Sequence, residues 1–366
     1  MKRVRTSDLV PGLTTAEDVY SYNNQMIIPK NSVLTDKMIT RLEFYSILAI
    51  YVQDDTIPPS NSASKDSAND KFAMQSYSER IKESHEFKEF EKSFVATTEK
   101  FKKGLRSIVD DRAPINTEEL FDHVSGLLAT QSTSVSIFDM LHNMRQYDDL
   151  TYAHCINVAL ICNVFAKWLK LPQTEVEKMT ICGLLHDIGK LAIPDSIIRK
   201  PDKLSPSEYN IIKTHTLQGY NILKSYNNIS SDIKEAALMH HERCDGTGYP
   251  LGLAADKINK YAKVVAIADV YDAMTAARVY RGPLCPFKVI GIFENEGLNK
   301  YESKFILVFL EHIATTYMKN RVRLSNGMEG DVVFMNKNAL SRPMIQCRNK
   351  FIDLSKEPDL YIESFV

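Results

Sequence analysis

TEVEKMTICGLLHDIGK, residues 174–190, is the stretch whose pattern decides the fold. Val176, Met179, Cys182, Leu185 and Ile188 recur at three-residue intervals, the spacing of one apolar face of an α-helix. Thr174 and Glu177 have the spacing of a capping box at its start, and Gly189 stands where a C-terminal stop belongs. The pattern predicts a helix whose last turn carries His186 and Asp187. Outward from it, residues 115–317 are rich in helix formers, poor in strand-like alternation and punctuated by helix stops. They predict a helical bundle, and with it a mainly α protein.

Upstream, residues 71–114 carry Phe87, Phe90, Phe94, Phe101, Leu105 and Ile108 at helical spacing among charges. This predicts an amphipathic helical connector, and the stripe within 71–110 would suit pairing with a second copy as a homodimer. Residues 53–70 are dominated by Asp, Pro, Ser, Asn and Ala, with almost nothing apolar to bury, and predict a flexible linker. Residues 1–52 read as a small mixed α/β module. It has extended segments at 14–20 and 26–28, a turn at Asn23-Asn24, a short helix from Thr35 or Asp36, and a closing strand at 47–52. Beyond the bundle, 322–324, an Asn326-Gly327 turn, 331–335 and 344–347 predict three short strands in a β-rich extension over 318–366.

A chain of 366 residues with 44% hydrophobic composition can bury a full core and hold more than one module. Lys and Arg total 45 against 46 for Asp and Glu, so no net field attracts polymeric nucleic acid or anionic lipid. A phosphate ligand must therefore be held locally. Apolar runs such as 47–52 and 305–310 are too short to span a bilayer, and the basic start MKRVRTSDLVPG lacks a following apolar stretch. Neither membrane insertion nor export is expected. Six dispersed cysteines without a CxxC pair fit a reducing cytoplasm.

The chemistry-bearing residues stand in local signatures: His154 in LTYAHCINVAL, His186 and Asp187 in LLHDIGK, His215 in KTHTLQG, His240 and His241 in MHHERCDGTGYP, and Asp269 in AIADVYDAM. Imidazole and carboxylate without thiolate suit iron, manganese or zinc held for hydrolysis, and not a closed structural zinc site. Seven donors exceed what one four-coordinate ion uses. Two ions bridged by a carboxylate and a hydroxide would employ them all and leave positions for substrate, the arrangement that phosphoester hydrolysis needs. Lys190, three residues after Asp187, could bring an ammonium over the site. The Gly- and Pro-rich segment 245–250 predicts a tight loop shaping a pocket wall. Arg278 and Arg281 carry forks that suit phosphate and guanine edges, although either alone could be a solvated, salt-bridged helix end. Asp269 could instead cap or pair, but an unpaired carboxylate after Ala266-Ile267-Ala268 would be costly. His85, His123, His142 and His312 read as ordinary exposed or hydrogen-bonded histidines.

These motifs resemble those of the HD-GYP domain, a bacterial subgroup of the HD phosphohydrolase superfamily. The resemblance spans about residues 148–310. It rests on HDIGK at 186–190, the KP and KLSPSEY elements within 200–209, HHERCDGTGYP at 240–250 and ADVYDAMTAARVYR at 268–281. It implies a helical-bundle core and hydrolysis of cyclic di-GMP to pGpG, or onward to GMP. It makes His154, His186, Asp187, His215, His240, His241 and Asp269 metal ligands with Asp187 bridging. Lys190 would contact a phosphate or assist the leaving group, and Tyr249, Arg278 and Arg281 would hold the nucleotide. Trimetallic members carry a Glu four residues before the first ligand His, where this chain has Leu150. Two divalent ions, iron or manganese with zinc as a further candidate, are therefore expected, with Asp148 or Asp149 as partial substitutes for the missing Glu. Val279 stands where the family often has Pro. Two other readings stay open: a phosphodiesterase for another cyclic dinucleotide or a nucleotide monoester, and a non-catalytic sensor of the dinucleotide. Degenerate sensors usually lose ligands, whereas all seven are kept here.

Overall fold

The computed structural model describes residues 2–6, 9–10, 12–20, 26–35, 38, 42, 49–53, 77–129, 134–144, 150–200, 204–275, 284–348 and 350–366. The chain divides into two compact units, Met1–Ala73 and Met74–Val366.

In the first unit, β1 (Lys2–Arg5) pairs antiparallel with β4 (Ala49–Val52), and β2 (Val19–Tyr20) with β3 (Met26–Ile28). Leu9, Leu13, Val19, Ile28, Leu34, Leu42, Ile50 and Val52 form its own small core. The strand at 2–5 escapes a pattern search because KRVR carries one apolar residue among three cations. The expected turn at Asn23-Asn24, most of the short helix and the linker lie outside the described residues.

The second unit is helical until residue 316. Two helices precede the bundle, α1 (Tyr77–Glu83) and the long α2 (His85–Asp110), capped by the Ser84 hydroxyl accepting from Phe87 N at 3.1 Å. Next come α3 (Thr117–Ala129), α4 (Ser134–Asn143), α5 (Leu150–Trp168) and α6 (Gln173–Leu185). A 3-10 turn, Ile188–Ala192, leads to α7 (Asp195–Ile198), α8 (Pro206–Lys213), α9 (His215–Lys224) and α10 (Ser231–Met239). The series closes with α11 (Lys260–Thr275), α12 (Pro286–Ile292), the short α13 (Leu298–Lys300) and α14 (Ser303–Thr316). α5 and α11 are apolar nearly all round, as central helices must be.

The stripe on α2 faces inward. Phe87, Phe90, Phe94, Phe101, Leu105 and Ile108 are all buried in the same core as α5 and α11. The apolar face that would suit a second copy is thus spent within the chain, where each such side chain contributes about 1.5–3 kcal/mol. Tyr226 Oη donates to the Ile108 carbonyl at 2.9 Å and Asn228 Nδ2 to the Ile115 carbonyl at 2.7 Å, which fixes the end of α2 against the bundle.

The tail forms five strands where three were expected: β5 (Arg321–Leu324), β6 (Glu329–Asn336), β7 (Ala339–Cys347), β8 (Lys350–Asp353) and β9 (Ile362–Phe365). They make one antiparallel sheet in the order β8-β7-β6-β5-β9. Val322, Leu324, Val332 and Ile345 are buried in the helical core, and the Glu294 carboxylate accepts from Leu340 N and Ser341 N of β7. β8 and β9 are short and half-exposed, so alternation there is too brief to read.

The start of α6 differs from the sequence reading. Its N-cap is Pro172, without a side-chain bond, and Thr174 lies inside the first turn. Glu177 accepts from Gln173 Nε2 at 3.0 Å instead of returning to a cap. A true capping box occurs at Ser205 and Glu208, at the start of α8.

Candidate metal centre

Helix ends deliver most of the site. His186 is the C-cap of α6 and Asp187 the residue after it, so the pair stands just past the last turn. The chain does not stop at Gly189 but runs on into the 3-10 turn. Gly189 is required for a different reason: a Cβ there would run into the His215 carbonyl and the backbone of Gly219. The start of α9 can therefore lie directly on the turn, which brings His215 to Asp187. His240 caps α10 with His241 next to it, while His154 and Asp269 project from within α5 and α11.

All seven predicted donors meet. Asp187, His215, His240 and His241 each place one ligand atom within 4.8 Å of the others, and His154, His186 and Asp269 form a second group on the same criterion. Asp187, a member of the first group, also faces two histidines of the second. Its Oδ1 is 3.2 Å from His215 Nε2 and 3.7 Å from His240 Nε2, while its Oδ2 is 3.3 Å from His186 Nε2 and 3.7 Å from His154 Nε2. The second group closes with His154 Nε2 at 3.1 Å from Asp269 Oδ1, and His241 Nδ1 lies 3.7 Å from Asp269 Oδ2.

Backbone carbonyls set the tautomers. His186 Nδ1 donates to Gly183 O at 2.7 Å, His215 Nδ1 to Ile212 O at 2.7 Å and His240 Nδ1 to Ala237 O at 3.0 Å. A carbonyl only accepts, so each Nε2 presents a lone pair to the interior. His186 Nε2 and Asp187 Oδ1 are buried without a hydrogen-bond partner, a costly state for a polar atom unless a cation takes it.

Electrostatics agree. Burial pushes His215 down and His240 well down, and holds His241 at about 3, so these rings are neutral donors. Burial would raise Asp187, but the Lys190 ammonium outweighs it and keeps its carboxyl well below the usual range. Asp269 is likewise raised by burial and brought well below chiefly by its hydrogen bond from His154. Burial lowers His154, yet the Asp269 and Asp272 carboxylates against its two nitrogens raise it to about 9, so a cation at Nε2 competes with a proton. The donor set fits divalent cations: neutral imidazoles with oriented lone pairs, two ionised carboxylates and no thiolate.

Lys190 Nζ contacts Asp187 Oδ2, and that carboxylate keeps the ammonium charged against the pull of burial. Tyr249 packs against His241 with ring centres 4.7 Å apart and planes tilted by 30°, under Lys213 Nζ at 5.7 Å. Arg278 and Arg281 lie outside the described residues, as do Asp148 and Asp149. His85, His123, His142 and His312 belong to neither donor group.

Two carboxylates were not singled out from sequence. Asp272 Oδ2 accepts from His154 Nδ1 at 2.7 Å and its Oδ1 accepts from Asn157 Nδ2 at 3.1 Å, the kind of bond that orients an imidazole beside a metal site. Its signal was the three-residue step from Asp269 on one helix face. Glu242, buried, accepts from Leu251 N at 2.7 Å and Leu253 N at 2.9 Å, which folds the 245–250 loop back onto the His pair. Gly248 is pressed so closely on Glu242 and Arg243 that a Cβ would collide with their backbone.

The HD domain family model matches residues 115–304, and the chain belongs to that family. The segments that resemble HD-GYP motifs, within 186–281, all lie inside the matched residues. It is 32% identical over 232 residues to a cyclic di-GMP phosphodiesterase of Pseudomonas aeruginosa, covering 63% of this chain and 56% of the relative. A 3'3'-cGAMP-specific phosphodiesterase of Vibrio cholerae is 34% identical over 194 residues, 52% of this chain and 37% of the relative. A cyclic di-GMP phosphodiesterase of Thermotoga maritima is 38% identical over 149 residues, 40% of each. The chain thus spans about half or less of these relatives. Among solved structures, an HDG"Y"P protein from Bdellovibrio bacteriovorus aligns with TM-score 0.48 and 16% identity, over 85% of this chain and 99% of that one. Among the described residues no helix is long and apolar enough to cross a membrane.

Proposed function

We propose that the chain is a metal-dependent phosphodiesterase that hydrolyses cyclic di-GMP to pGpG, and onward to GMP, in the cytoplasm. The observation that carries this reading is Asp187, whose two oxygens face different histidine groups. One carboxylate shared between two donor sets is how two divalent ions are held at bridging distance. His215, His240 and His241 would hold one ion, His154, His186 and Asp269 the other, with iron or manganese ahead of zinc for this donor set. Such ions, when bound, supply an activated water and offset charge at phosphorus. The chain's own groups do the rest. Lys190 holds its ammonium at the bridging carboxylate, where it meets a phosphate oxygen or protonates the leaving group. Tyr249, with Arg278 and Arg281, grips the nucleotide.

Full-length protein purified anaerobically should carry two metal ions per chain and linearise cyclic di-GMP when loaded with Fe(II) or Mn(II). No turnover with either metal would overturn the reading. A second reading is favoured by one comparison, the cGAMP-specific relative: a preference for another cyclic dinucleotide. Parallel assays with cyclic di-GMP and 3'3'-cGAMP separate the two.

A further inference from the structure

A cleft of about 210 Å³ adjoins Lys190. Arg106 and Asp110 enter it from α2, Tyr152 from α5, and Asp195 and Arg199 from α7 and its C-cap. Lys190 joins the cleft to the metal centre, since its ammonium contacts Asp187. The volume is below the roughly 300–1,000 Å³ of sites that enclose a whole drug-sized ligand. It fits one part of a larger molecule whose remainder lies at the metal ligands.

The lining has both signs. Arg106 stands among the Tyr152 hydroxyl, Asp195 and Asp110. Two carboxylates, which only accept hydrogen bonds, disfavour a phosphate there. A guanine base suits both signs, because O6 and N7 accept from an arginine fork while its amino edge donates. Resting on the phosphodiesterase reading above, we propose that this cleft holds a guanine of the substrate, Arg106 and Arg199 on its acceptor edge and Asp110 and Asp195 on its donor edge. α2 precedes the family-matched residues 115–304, so this chain completes the pocket with a helix from outside that segment. The buried Leu105 and Ile108, on either side of Arg106, fix its register.

Equilibrium binding to the full chain tests this without relying on turnover. GMP should bind about tenfold tighter than AMP, and Arg106→Ala and Arg199→Ala should each weaken GMP about tenfold, the worth of one lost bidentate contact. Both side chains are exposed, so folding is kept. Lys103→Ala, exposed on the same helix, is the control and should not change GMP binding. Equal binding of GMP and AMP, or GMP affinity within twofold of the parent in both arginine variants, overturns the assignment even if cyclic di-GMP is hydrolysed. Arginine-dependent GMP preference without any turnover keeps the cleft and sinks the phosphodiesterase reading instead.

Discussion

The Nε2 atoms of His215 and His240 stand 3.2 Å apart, and both rings donate their Nδ1–H to a backbone carbonyl. Burial keeps both rings neutral, so the contact sets two lone pairs against each other with no proton between them. A shared cation turns that repulsion into attraction. His240→Ala should therefore lower the metal bound per chain and cost about 100-fold or more in activity, beyond what outer-shell changes cost. Circular dichroism should stay at the parent value. Full metal content in the variant would show that His240 is only a packed core histidine.

Asp272 orients His154 without reaching the donor cluster itself. Asp272→Asn keeps the shape but makes the His154 Nδ1 bond ambiguous between donor and acceptor. Metal affinity, measured by competition with a chelator, should fall about 10–100-fold. Unchanged affinity would remove Asp272 from the site.

Gly189 tests the backbone contact that sets the site. Gly189→Ala forces a Cβ into the backbone at His215 and Gly219, and overpacking of this kind costs about 1–3 kcal/mol or more. The urea midpoint should drop and metal content with it, because His215 is displaced. Gly126→Ala on α3, where a Cβ meets nothing, should be neutral or stabilise by about 0.5–1 kcal/mol. Equal effects at the two positions would refute the close-approach account.

The clustered histidines and carboxylates were legible because each sits in a short signature, and helical spacing, with a capping pattern and a stop that the structure replaces, put His186 and Asp187 near one helix end. Less was legible where a partner is remote in sequence. Asp272 looks like any helical Asp until His154, 118 residues away, is seen against it. Glu242 acts on the amides of Leu251 and Leu253, which carry no side-chain signal at all. The stripe on α2 was read correctly as apolar, but periodicity cannot say whether a second copy or the chain's own bundle covers it. The capping box at Thr174 failed because Pro172 starts the helix earlier and Gln173 engages Glu177.

Glu175 ties the first turn of α6 to the first turn of α11, the two helices that carry His186 and Asp269. Its carboxylate accepts from Lys260 Nζ at 2.7 Å and from the Tyr261 hydroxyl, with Lys178 Nζ at 3.5 Å. The Lys260 bond first, then Tyr261, holds the carboxyl at about 2, below the roughly 4.3 of an unfolded glutamate. A depressed carboxyl stabilises the fold above its unfolded value and loses that contribution as pH falls through its folded value. Lys260 is 60% exposed, so solvent screening keeps the gain under about 1 kcal/mol. Glu175→Gln should therefore lower the urea midpoint slightly at pH 6. The gap between variant and parent should narrow as pH is taken from about 4.3 toward 2. A gap that stays constant across that window would mean the loss comes from the altered hydrogen bond to Tyr261 and not from the charge.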